Sequence, residues 1–308
     1  MRELLRAIVI HSPAEYSLAG EIIRVAPFHF ANAEPPLVAD LRMRLYDRAY
    51  CRELGTPAIK AHVVDNMTDV LSAANATRER WDRGWITSHI DARGRLVAHK
   101  RGLTHIAPPG RFTNDGAVLL EREQRDAQPG FYIALGEEPV DHAQTEIRMT
   151  RMYFHVTAAS APALLHALTS SLNRYKVPFT FKTLSNANAY TRADAAVLFF
   201  AKRYFPIIAD LIPRNLELRP RTPLFTKRLH DGIAIAEDPG AGQSFGESRC
   251  RLVAQAVWDT WTRSANDEDA KLRELELQFD RAGLSLERPW LRARSVDVYV
   301  AQTLLSVP

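Results

Sequence analysis

The spacing of apolar residues changes period several times along this chain, and each change predicts a new element. Pro35-Pro36 opens a helical pattern over residues 37–54, and a second helical pattern runs over 67–84, stopping at Gly84. The period then shortens to two. Residues 85–90 and 95–99 flank Asp91-Ala92-Arg93-Gly94, a composition suited to a hairpin turn. Strand-like pieces surround Pro129-Gly130, and a polar stretch follows at 137–146. Beyond it come a strand at 148–156, a helix at 160–176 with Pro162 in its first turn, and a strand at 178–184. Strands at 193–200, 223–229 and 232–238, with a helical or irregular piece at 202–212, lead to two helical patterns at 244–263 and 266–283.

Strands and helices mix without a regular βαβ alternation. This predicts an α+β fold, with a mixed, mainly antiparallel sheet packed with helices, rather than a dinucleotide-binding fold. The polar stretch is the expected boundary between an N-terminal α+β region, residues 1–145, and a second α+β domain, residues 146–308, that ends in helices. The N-terminal region is a candidate for peptide docking.

Two strands carry unlike groups on their two sides. With period two, Arg151, Tyr153 and His155 point one way while Met152, Phe154 and Val156 point the other. In the next strand Phe179 and Phe181 share one side, Thr180 and Lys182 the opposite one. If a core covers the apolar sides, an Arg, a Tyr, a His and a Lys are left to converge on one surface. Such a surface holds an anion binder, two proton donors and a base, which suits chemistry on a phosphorylated substrate.

Composition narrows the field without naming a reaction. The 308 residues are 46% hydrophobic and 25% charged, ordinary for a globular protein with a sizeable core. The net charge of +4 comes with no dense Lys/Arg run, so nucleic acid is not an expected partner. Cys51 and Cys250 have no metal-binding spacing and do not make a disulfide framework, which fits a reducing, cytoplasmic compartment. The apolar piece Ala7–Ile10 is too short for a signal or a membrane span. No His-Glu-x-x-His, kinase signature or Gly-x-Ser-x-Gly elbow is present, so metal catalysis, a kinase and a serine hydrolase are not expected.

A glycine-rich loop, residues 237–246, precedes the helical pattern at 244–263, with Arg249 in that helix's first turn. Free N–H groups at a helix start can receive an anion. Lys202 and Lys227 add cations at strand ends, and Asp194 and Glu237 are acids that could orient them.

The stretch from Arg151 to Leu184, then residues 191–200 and 223–250, resembles the HopA effector family, named for a type III secreted effector of plant pathogens. The upstream segments 41–54 and 71–85 resemble it too, so the likeness spans about residues 35 to 265. Relatives of that family include LanY-type lyases of class V lanthipeptide pathways and proteins of thioamitide pathways. The pair Phe154-His155 and Phe181-Lys182 is also similar to segments of phosphothreonine lyases, in which a lysine removes the α-proton and a histidine assists the leaving phosphate. The resemblance implies a phosphothreonine-lyase-like C-terminal part, with Lys182 as base and His155 as acid. Tyr153 and Thr180 stand where the effector lyases carry lysines.

On this reading Lys182, His155 and Tyr153 are catalytic, and Arg151, Lys202, Arg249 and Lys227 bind phosphate. The substrate is a phosphorylated precursor peptide, which loses phosphate to give dehydroalanine or dehydrobutyrine. Phosphate is a good leaving group, so the elimination requires no metal or other cofactor. Its partners are a separate kinase-like phosphotransferase and a cyclase, with no membrane involved. The alternative is a non-enzymatic, effector-like module that binds a peptide or protein, with Lys182 and His155 as ordinary surface groups.

Overall fold

The computed structural model describes residues 1–26, 34–56, 65–141, 149–213, 216–240, 242–264 and 267–300. The chain is an α+β protein that divides into two compact units, each built from separated segments. One unit comprises Met1–Lys60, Pro223–Lys227 and Gly242–Val298, and the other Ala61–Thr222, Arg228–Ala241 and Tyr299–Pro308. The polar stretch expected as a boundary falls partly at 142–148, outside the described residues.

The first unit begins with α1 (Arg2–Arg6) and a three-stranded antiparallel meander, β1 (Ile8–Ser12), β2 (Glu15–Leu18) and β3 (Glu21–Arg24). The apolar N-terminal piece is therefore largely β1 itself, in a sheet that the sequence pattern does not reveal. Helix α2 (Pro36–Leu45) continues into a π-helical turn, Tyr46–Tyr50. The rings of Tyr46 and Tyr50 stack, and a Cβ on Gly246 would come within 2.7 Å of both. Glycine there lets α2 lie against the long C-terminal helix to which Gly246 belongs.

In the second unit, α3 covers only Thr68–Ala74, less than half of the expected pattern. Asn75 stops it by turning to an extended conformation. Its side-chain amide donates to the Arg122 carbonyl and the Tyr132 hydroxyl, and its oxygen accepts from the Thr77 amide. The chain then forms β4 (Arg80–Asp82), β5 (Ile86–Ile90), β6 (Leu96–Lys100), β7 (Leu103–Ala107) and β8 (Val118–Leu120). The expected hairpin is β5–β6, and β7 adds a third antiparallel strand to it. Trp85, Leu96, Ala98, Ala107, Val118 and Leu120 form a local core there.

The remaining strands are β9 (Glu123–Gln124), β10 (Phe131–Leu135), β11 (Met149–Phe154), β12 (Thr180–Leu184), β13 (Ala196–Ala201), β14 (Lys227–His230) and β15 (Ile233–Glu237). They make one sheet in the order β14-β15-β11-β13-β12-β10-β9, with antiparallel pairing across its central strands. Helix α4 (Ala161–Arg174) buries Leu164, Leu165, Leu168 and Leu172 along one face, and α5 (Phe205–Leu211) resolves the ambiguous 202–212 segment as a helix. The first unit closes with α6 (Phe245–Thr262) and α7 (Glu268–Arg281), whose starts are capped by Ser244 and Asp267.

Candidate active site

The register of the large sheet sorts the candidates by face. Ile133, Lys182, Val197, Tyr153 and Ala234 are successive partners across β10, β12, β13, β11 and β15. Directly paired residues share a face, so Lys182 and Tyr153 lie on the same side, two strands or roughly 10 Å apart. The neighbouring row on that side runs Leu135, Thr180, Phe199, Arg151 and Ala236. Between them, the row Ala134, Phe181, Leu198, Met152 and Ile235 faces the other way and is fully buried.

Lys182 occupies a half-buried position. Its Nζ donates to Gln128 Oε1 at 2.6 Å and lies 3.8 Å from the centre of the Phe131 ring. The ring face favours an ammonium, but burial works against it and prevails, pushing the pKa down to about 8. Asp194 opposes that shift, whereas the positive charges of Arg151 and Arg192 add to it. At pH 7 this leaves about one Lys182 in ten as a free amine, against fewer than one in a thousand for an ordinary lysine.

His155 follows β11 directly and is held by its own backbone. Its amide donates to the Gly232 carbonyl, and its carbonyl accepts from the Arg219 amide. The ring's Nδ1 lies 3.1 Å from the Arg221 carbonyl, which can only accept, so Nδ1 carries a hydrogen. Nε2 is buried and has no hydrogen-bond partner among the described residues. Burial lowers the imidazole pKa most, and Arg219 and Arg221 lower it further, against the Arg221 carbonyl and Asp194. The resting ring is therefore neutral, with its Nε2 lone pair available.

Asp194 ties the two halves together, because its field acts on both Lys182 and His155. It is buried and takes a fork from Arg192, with Nε and Nη2 each 2.8 Å from a carboxylate oxygen. Arg151 lies with its guanidinium 5.2 Å from the Phe199 ring centre and is paired to Asp238. Tyr153 is buried in the same row as Lys182.

The other expected phosphate binders are engaged elsewhere. Glu237 pairs across from Thr150, in a row on the opposite face from Arg151. Lys202 binds that buried Glu237 at 2.6 Å, and the Tyr299 hydroxyl donates to the same carboxylate oxygen. In the first unit, Lys227 is paired to Asp297 and lies near the Trp290 ring. Arg249 was expected at an anion-binding helix mouth. Its guanidinium is instead buried, donating to the Pro289 and Leu291 carbonyls and the Ser248 hydroxyl. Its charge fastens the segment after α7.

Three arginines near the site escaped the sequence reading. Arg192 precedes Asp194 by two residues, and Arg219-Pro220-Arg221 brackets a proline. Nothing in their local pattern marks them, because the fold brings them to His155 and Lys182 on loops, Arg192 ten residues after Lys182 and Arg219 and Arg221 from further along the chain. Among the described residues, no group of three or more His, Cys, Asp or Glu is arranged to hold a metal ion. Nor is any described helix long and apolar enough to cross a membrane.

The molecule is thus an α+β protein whose large sheet carries Lys182 and Arg151 on one face, with buried Asp194 close enough to act on both Lys182 and His155. The sequence matches the HopA1 effector protein family over residues 122–291, more than half of its length, and the chain belongs to that family. It is similar in structure to the effector protein from Pseudomonas syringae pv. syringae strain 61, at 20% identity and a TM-score of 0.48, covering 82% of this chain and 89% of that one. The effector protein from Pseudomonas syringae pv. tomato strain DC3000 is similar at 16% identity and a TM-score of 0.48, covering 83% and 94%. No curated protein matches the sequence.

Proposed function

We propose that this protein is a carbon–oxygen lyase that eliminates phosphate from phosphoserine or phosphothreonine in a peptide, of the LanY kind in lanthipeptide-like biosynthesis. The observation that carries the reading is the pairing of Lys182, with its pKa lowered to about 8, and His155, with its bare Nε2, around the shared Asp194. Neutral Lys182 takes the Cα proton. The electron pair moves to form the Cα–Cβ double bond, and the Cβ–O bond breaks toward phosphate. A bound phosphate dianion raises the imidazole pKa, so His155 enters the bound state protonated and gives its Nε2 proton to the leaving oxygen. Arg219 and Arg221 supply positive charge for the phosphate, Arg192 stays forked on Asp194, and Tyr153 is the donor for the enolate-like charge on the peptide carbonyl. A separate kinase would supply the phosphate.

The test is a phosphothreonyl peptide incubated with the purified protein and followed by mass spectrometry. Loss of phosphoric acid to leave an alkene supports the lyase. Recovery of the free hydroxyl makes it a phosphatase, and an unchanged peptide favours a binding module.

The pH profile separates the two proton carriers. With a base of higher pKa than the acid, kcat/KM is flat between the two values and falls on both sides, its alkaline limb near pH 8. In His155→Gln, where the acid limit is gone, the rate is about 10²-fold lower and climbs until Lys182 is deprotonated. A profile of unchanged shape would remove His155 from the reaction.

Asp194 is a positioning residue on this reading. Its charge raises the pKa of both Lys182 and His155, so Asp194→Asn lowers both and moves the whole kcat/KM plateau to lower pH. A merely structural loss would reduce the plateau height without moving it.

A further inference from the structure

Among the described residues, the small sheet β5–β6–β7 has an unpaired edge at β5 and an unusual charge. Every residue of β5 is exposed, Ile86 at 73% and Ile90 at 58%. The strand pairs with β6 along one side only. A bulge falls between Thr87 and His89, after which Ile90 pairs with Leu96 and so lies on the same face as the local core. The apolar face of the sheet therefore runs on past its last strand without cover, and a further strand beside β5 would bury Ile90. Between Arg78 and Arg111 the chain carries eight Lys/Arg against three Asp/Glu. That net +5 exceeds the +4 of the whole chain, so the remaining residues are net negative. Arg93 sits in the β5–β6 turn, while Arg83 and Arg101 sit at the other end of the strand. All three are exposed, and Arg83 acts on the Asp115 carboxylate from a distance.

We propose that the β5 edge docks an acidic, extended segment of the substrate peptide as a fourth strand. Backbone hydrogen bonds hold the segment, Ile90 packs against its apolar side chains, and the arginines at both ends receive its carboxylates. The identity of the segment as part of the substrate rests on the lyase reading. The docking itself does not.

The test uses a fluorescein-labelled peptide repeating Val-Glu-Thr-Asp, with a Val-Lys-Thr-Lys peptide and a single-stranded oligonucleotide as competitors. We expect the acidic peptide to bind with slowed amide exchange at residues 86–90. Its affinity should fall at least about ten-fold in Ile90→Asp and in Arg93→Glu/Arg101→Glu. Equal affinity in these variants, protection confined to other strands, or stronger competition by the oligonucleotide would overturn the proposal. With phosphothreonyl peptides, the same variants should raise KM about ten-fold only when the acidic segment is attached, leaving kcat unchanged. If no peptide is eliminated but the edge still binds, the lyase reading fails and the docking surface stands. If elimination proceeds and the variants leave KM unchanged, the reverse holds.

Discussion

On the proposed lyase reading, Lys182→Met should abolish elimination, with kcat down by about 10³-fold or more, while phosphopeptide affinity changes little. The substitution takes away an amine whose pKa is brought near neutrality, and leaves in place Arg219 and Arg221, the arginines proposed to meet the phosphate. Single-turnover mass spectrometry and peptide anisotropy together measure it. Near wild-type turnover would mean another group is the base. The same variant is expected to be more stable than the wild type. Lys182 has a folded pKa of about 8, below its unfolded value, so its charged form is disfavoured in the fold. The unfolded chain binds more protons between these values, and stability rises with pH through that window. The gain from Lys182→Met, about 1–3 kcal/mol after allowing for partial solvent screening, is therefore present at pH 7 and vanishes toward pH 10.5. Urea unfolding at the two pH values checks it.

The second large effect is on stability at a distance from the reacting atoms. Gly232 has φ +70°, and a Cβ there would lie 2.4 Å from the Arg219 carbonyl oxygen and 2.8 Å from the Leu218 Cβ. These are backbone and near-backbone atoms that cannot swing aside. Its carbonyl receives the His155 amide, and its own amide donates to Pro220. Gly232→Ala should cost about 3 kcal/mol or more, and the surviving folded fraction should show a displaced His155. Thermal unfolding and the imidazole resonances measure the two effects. A Tm equal to the wild type would mean that the loop carrying Arg219 and Arg221 gives way freely.

Period-two alternation was enough to place Lys182, Tyr153 and Arg151 on one face, because it is a local property that the sheet preserves. The same reading could not say which cations reach that face. Lys202, Lys227 and Arg249 look interchangeable with Arg192 or Arg219 in sequence. Their partners, Glu237, Asp297 and two backbone carbonyls, are set by contacts between segments far apart in the chain. Helix α3 was overrun for a related reason. Asn75 reads as tolerable in a helix until Tyr132 and the Arg122 carbonyl offer it better bonds. The N-terminal meander is not legible because its last strand buries only Ile23 and so lacks the alternation that marks β11 and β12.

The interleaving of the two units sets an order of events on the ribosome. Helix α2 and its π-turn emerge early, yet the residue that lets them pack, Gly246, is made nearly two hundred residues later. At ordinary elongation rates that is a delay of roughly 10–40 s. Throughout it Leu37, Leu41 and Leu45, buried in the finished protein, have no α6 to cover them. The nascent α2 segment thus exposes apolar surface until α6 is made, and slowing translation between the two should lower the soluble yield.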